Sequence, residues 1–162
     1  MMPAEKAALL GRLDAIIRRH LPLSGNCAVV TFESLQEVFE LEDGAVVRAL
    51  APFPLGMHGG ETCGVVTGAL LAIGLALGGR AGQGDTRARH LAAARPAKAF
   101  FREFEGIYGS TCCSDIVEKL FGKGFDLTDP EQALEWLSSG PIDKCGSVVE
   151  RGARIAAEIL LS

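Results

Sequence analysis

Five cysteines, Cys27, Cys63, Cys112, Cys113 and Cys145, are the residues of this chain best equipped for chemistry. As thiolates they ligate soft metals and attack disulfides. No Cys-x-x-Cys pair is present, so the thioredoxin-type motif and the zinc ribbon are both excluded. No Cys-x-x-Cys-His occurs either, which removes covalent c-type haem attachment. The spacings are long, and any shared site must be assembled by tertiary structure. Placement says more than spacing. Cys27 follows Asn26, Cys63 follows Thr62, Cys113 follows Ser110 and Thr111, and Cys145 follows Asp143 just before Ser147. Each falls at or beside an expected helix N-terminus, where unpaired N–H groups and the helix dipole favour the thiolate.

The elements that must position these thiols read as helices throughout. Leu10, Leu13, Ile17 and Leu21 recur at helical spacing in a first segment over 4–20, which Pro22 and Gly25 are expected to end. Asn26 is a good N-cap for a second segment with Ala28, Phe32, Leu35 and Phe39 on one face. A short piece over Gly44 to Leu50 precedes the breaker-rich run APFPLGMHGG, Ala51 to Gly60. An apolar helix is then expected from Thr62 to Gly78, with Gly64, Gly68, Gly74 and Gly78 letting neighbouring helices approach. Beyond the glycine-rich connector Gly79 to Gly84, Asp85 caps a segment to Tyr108 that Pro96 should kink or split. Its expected buried stripe is Ala97, Phe101, Phe104 and Tyr108. Shorter helices are expected over Cys113–Phe121 and Pro130–Leu137, and a last one runs to Leu160, with Ser147 and Glu150 at capping-box spacing. The expected fold is all-α, a single-domain multi-helix bundle over 1–162 with a buried glycine-rich central helix. If successive helices run antiparallel, the four helices beginning near Cys27, Cys63, Cys113 and Cys145 are every second element, and their N-termini share one end of the bundle.

The 162 residues are 48% apolar and 22% charged, with a formal net charge of −4. That composition is wrong for a disordered polymer, and the acidic balance argues against nucleic acid as a partner. The basic group Arg80, Arg87, Arg89, Arg95 and Lys98 therefore reads as a solvated helix face. Gly78 to Gly84, GGRAGQG, lacks the lysine and hydroxyl of a phosphate loop. The run Cys63 to Gly79 is uncharged for seventeen residues. A spanning helix needs about 20 apolar residues, so a buried central helix is expected and membrane insertion is not. No leader is legible, and the cytoplasm is the expected compartment, where clustered cysteines more often mean metal or redox chemistry than structural disulfides. The glycine-rich helix and the apolar content point to a homodimer. Trp136 is expected as a core or interface anchor, and His20 and His90 as surface residues.

The run Asn26-Cys27, then GGETCGVVTGALLAIGLALGG from Gly59, then FREF…YGSTCCSDI, then Cys145 before a terminal amphipathic helix, resembles the C-GCAxxG-C-C family of small redox-active proteins. The resemblance covers the chain from residue 26 to its end. Its most specific part is Cys63-Gly64-x-x-x-Gly68-Ala69. It implies a helical protein associated with oxidoreductase or transporter partners, related to the helical iron–sulfur domain of split-Soret cytochromes. Only the cluster part of that relationship can carry over here. It maps a cofactor-binding role onto Cys27, Cys63, Cys113 and Cys145, with Cys112 as the extra cysteine.

Three functions compete. The first is a metal or iron–sulfur site on Cys27, Cys63, Cys113 and Cys145, since four cysteines are the usual ligand set for a cluster and for structural zinc. The second is metal-free thiol–disulfide exchange, with Cys63 attacking and Cys27 or Cys113 resolving. The third is a helical adaptor whose cysteines only pack, because free cysteine behaves as a small buried hydrophobe. His58 and Glu61 lie close to Cys63 in sequence and are candidates for a base or an extra ligand. The metal reading is narrowly preferred.

Overall fold

The structure, a computed structural model, describes residues 2–41, 44–78 and 85–162. Among these residues the chain forms eight α-helices and no strand: α1 (Pro3–Ser24), α2 (Cys27–Phe39), α3 (Gly44–Ala49), α4 (Gly64–Gly78), α5 (Thr86–Tyr108), α6 (Cys113–Phe121), α7 (Pro130–Ser138) and α8 (Pro141–Leu160). The all-α bundle is thus as the periodicity anticipates. The connector Gly79–Gly84 and Arg80 lie outside the described residues.

α1, α2, α4, α5 and α8 form the bundle, with α2 and α4 at its centre. The apolar faces meet in one core, in which Leu13, Ile17, Phe32, Leu35, Phe100 and Phe104 are fully buried. Removing a side chain of that size from water contributes about 1.5–3 kcal/mol. α4 is apolar all round; Val65, Val66, Ala69, Ala72 and Ile73 are buried, while Leu71 is exposed. No helix among the described residues is long and apolar enough to cross a membrane.

Two glycines of α4 set its distance from α2. A Cβ on Gly64 would stand 2.7 Å from Cys27 Sγ, and one on Gly68 would collide with the Ala28 carbonyl oxygen. Gly74 faces open space and Gly78 meets only the Arg89 side chain, so half of the glycine series serves close approach and half does not.

Several boundaries differ from expectation for identifiable reasons. α1 runs through Pro22 and stops at Gly25, whose left-handed φ of 62° ends it. α5 continues unsplit through Pro96. Its buried aromatics are Phe100 and Phe104, while Phe101 is exposed, because one residue of slip turns a side chain by about 100° around a helix. α8 begins at Pro141, where proline suits the first helical position, so Ser147 lies inside the helix and donates to Lys144 O at 2.7 Å instead of capping. His20 is half-buried, not a surface residue, and lies between the Glu33 and Glu37 carboxylates at 3.2 and 3.3 Å. Trp136 is buried in a side cluster with Phe121 and Phe125.

Candidate functional site

The cysteine-bearing elements are α2, the residue before α4, α6 and α8. Cys27 opens α2, where the Asn26 side chain accepts from Ala28 N and Val29 N at 3.1 and 3.2 Å and donates to Leu50 O at 3.3 Å. Cys63 immediately precedes α4. Cys113 is the first residue of α6, with Cys112 in the capping position. Cys145 departs from expectation: it is the fifth residue of α8, in its second turn, because that helix starts at Pro141. Two backbone bonds lock the segments before α4 and α6 together, Cys63 N to Thr111 O at 2.8 Å and Cys113 N to Glu61 O at 2.6 Å. Thr62 and Cys112 pair across them as an isolated antiparallel bridge.

These contacts bring Cys27, Cys63, Cys113 and Cys145 to the lining of one cavity of about 30 Å³. The rest of its wall is apolar, from Leu55, Val65, Ile116, Val117, Trp136 and Val148. Cys112 is not part of it. All five cysteines are free thiols.

Burial in that apolar wall decides the charge state of the four thiols. Cys63, only 5% exposed, is raised above the ordinary thiol range by burial first, then by Cys27, with Cys113 and Cys145 adding to it. Cys113 and Cys145 are each pushed up to about 12, again by burial and then by Cys27. Burial also raises Cys27, against hydrogen bonds from the backbone N–H groups of Leu55, Ala28 and Gly64 and from its own. Helix starts alone would lower these values, and desolvation outweighs them. The expected thiolates are therefore neutral thiols in the folded metal-free chain. Among the neighbouring thiols, Cys27 has the largest effect on each of the other three.

Leu55 reaches the cavity from a left-handed turn that sequence reading did not anticipate beyond its breaker-rich composition. Leu55, Gly56, Met57 and His58 have φ of 57°, 60°, 58° and 57° in succession. Left-handed backbone costs about 1–2 kcal/mol per non-glycine residue, and three of these four carry side chains. The turn persists because it is tied at both ends: Glu61 N donates to Gly56 O at 3.1 Å, and Leu55 N–H serves Cys27. Gly56 is obligatory, since a Cβ there would lie 2.6 Å from Glu61 N and 2.8 Å from Cys113 Cβ.

His58 and Glu61 do not reach the four-thiol cavity. Both are exposed, and Glu61 takes part through its backbone. Among the described residues no group of three or more His, Cys, Asp or Glu side chains stands in the arrangement a metal ion needs. The thiols surround the cavity without being drawn to a common centre.

A second, open cleft of about 460 Å³ lies on the outer side of the same wall, and Leu55, Cys113, Val117 and Trp136 line both spaces. His58, Ser114, Phe125 and Asp126 belong to the outer cleft alone.

A family model described as "Putative redox-active protein (C_GCAxxG_C_C)" matches residues 25–159. No curated protein and no solved structure matches the chain.

Proposed function

The chain belongs to the C_GCAxxG_C_C family of redox-active proteins, and on that premise we propose that Cys27, Cys63, Cys113 and Cys145 act as one centre that takes up a thiophilic metal ion or an iron–sulfur cluster. The observation that carries this reading is the meeting of four thiols, from four separate elements, on a single cavity. Thiol–disulfide exchange needs two cysteines, whereas four are the usual complement of a cluster or a tetrahedral zinc site. The surroundings point the same way. A thiolate is costly in an apolar wall unless a cation compensates it, and the N–H groups directed at Cys27 are of the kind that stabilise a metal-bound sulfur.

A space of about 30 Å³ suits one atom-sized occupant. A single ion would need the thiols to turn inward, and a cluster would need the walls to part as well. When bound, a cluster would supply one-electron carrier chemistry and zinc would supply structure. The protein's part is to hold the four sulfurs, exclude water and direct N–H groups at Cys27.

The test is iron, zinc and acid-labile sulfide content on protein purified without oxygen, for the native chain and for Cys63→Ser. Near-stoichiometric metal that falls sharply in Cys63→Ser is the expected result. Absence of metal, or content indifferent to the substitution, overturns the reading. A metal-free dithiol centre is the second reading, favoured by the lack of a ligand arrangement among the described residues and by the position of Cys113 on both spaces. It predicts a free-thiol count that drops by two under mild oxidation.

A further inference from the structure

We infer that the outer cleft is a binding site for a small cationic disulfide, and that Cys113 is the sulfur with which it reacts. The cleft's volume of about 460 Å³ falls in the range of small-molecule sites, and its lining mixes aromatic and apolar side chains with a few polar groups. Among the described residues its only Asp, Glu, Lys or Arg is Asp126, whose carboxylate accepts Thr128 N at 2.9 Å and Thr128 Oγ1 at 2.6 Å. Lys123, whose Nζ lies 5.0 Å from the Phe125 centroid, is paired with Glu135 at 2.6 Å, so Asp126 is left as the cleft's own fixed charge. The Asp126 carboxylate thus favours a positively charged guest, with Phe125 and Trp136 as its aromatic wall. Cys113 is the one thiol that faces both this guest and the inner cavity.

The reaction balances without a further reagent. Cys113 first gives its proton to solvent, the slow part of the step because burial holds it. The thiolate Sγ then bonds to one sulfur of the guest, the guest's S–S bond breaks, and the departing half leaves as a thiolate that takes up a proton from solvent. Cys27, across the inner cavity, then bonds to Cys113 Sγ. The second half departs with the Cys27 proton and a Cys27–Cys113 disulfide remains. Two protein thiols are oxidised and one disulfide is reduced to two small thiols. This inference rests on the reading of these cysteines as a redox centre but needs no metal.

The experiment compares cystamine with the anionic 3,3′-dithiodipropionate on the reduced, metal-free, full-length chain. Adducts are quenched in acid and mapped by peptide mass spectrometry. The first adduct is expected at Cys113, forming several-fold faster with cystamine. Asp126→Asn, whose remaining carbonyl oxygen still accepts the Thr128 bonds, should narrow that difference. The unreactive isostere 1,6-diaminohexane should slow the adduct and change the emission of Trp136, the only tryptophan. Cys145→Ser removes one thiol of the inner centre yet should leave the first adduct in place, so loss of metal binding and loss of cleft reactivity are read separately. First reaction at another cysteine, equal rates for the two disulfides, or a folded chain that stays unmodified while the unfolded chain reacts completely would each overturn the inference.

Discussion

Gly64 and Cys27 touch so closely that a methyl group on the glycine would lie 2.7 Å from the cysteine sulfur, and the Gly64 N–H hydrogen-bonds to that sulfur. The same pair therefore sets the crossing of the two central helices and the environment of the Cys27 thiol. Core architecture and candidate chemistry are one feature here.

Gly64→Ala should accordingly destabilise the chain by about 1–3 kcal/mol, the usual cost of overpacking, because α2 or Cys27 must give way. Gly74→Ala on the same helix meets nothing within 4 Å and should stabilise it by about 0.5–1 kcal/mol. Chemical denaturation of the two variants checks the contrast, and equal effects would remove the close-approach account.

Gly56→Ala strikes both the backbone and the space of the left-handed turn. Strain at φ +60° and contact with Glu61 and Cys113 act together, so the loss should exceed that of Gly64→Ala. Thermal unfolding of the variant measures it.

Asn26→Ala removes the acceptor for Ala28 N and Val29 N and the donor to Leu50 O. A cap loss of about 0.5–2 kcal/mol follows. Because Cys27 opens the helix that Asn26 caps, the Cys27 thiol should also become more reactive towards iodoacetamide, read by mass spectrometry.

The buried thiols give the metal-free chain an alkaline limit. Cys113 and Cys145 hold their protons to about 12, against an ordinary value near 9.0. Between those values the unfolded chain has released protons that the folded chain retains, so stability falls as pH rises. It is fully present below pH 9 and drains away towards pH 12. Urea midpoints should decline across that window, and Cys145→Ser should flatten the decline. A midpoint independent of pH there would mean that the thiols are not buried in solution.

Much of the architecture was legible in the residues. Apolar spacing located α1, α2, α4 and α5 to within a few positions, because a helix's buried face is written at intervals of three and four. Asn26 and Asp85 announced two starts, because a cap is a local hydrogen bond. Proline misled at Pro22 and Pro96, since a helix tolerates a missing N–H where the rest of its packing holds it. Phe101 was exchanged for Phe100, because in a run of two phenylalanines the pattern cannot say which faces inward.

For the site, sequence alone determined which thiols exist, that none belongs to a short-range motif, and that they stand near helix starts, because these are properties of neighbours along the chain. Only the tertiary structure decided that four of them share a cavity, that Cys112 does not, and that burial keeps them protonated. Desolvation depends on what surrounds a group in space. That wall comes from Leu55, Val65, Ile116, Val117, Trp136 and Val148, residues scattered along the chain that only folding brings together.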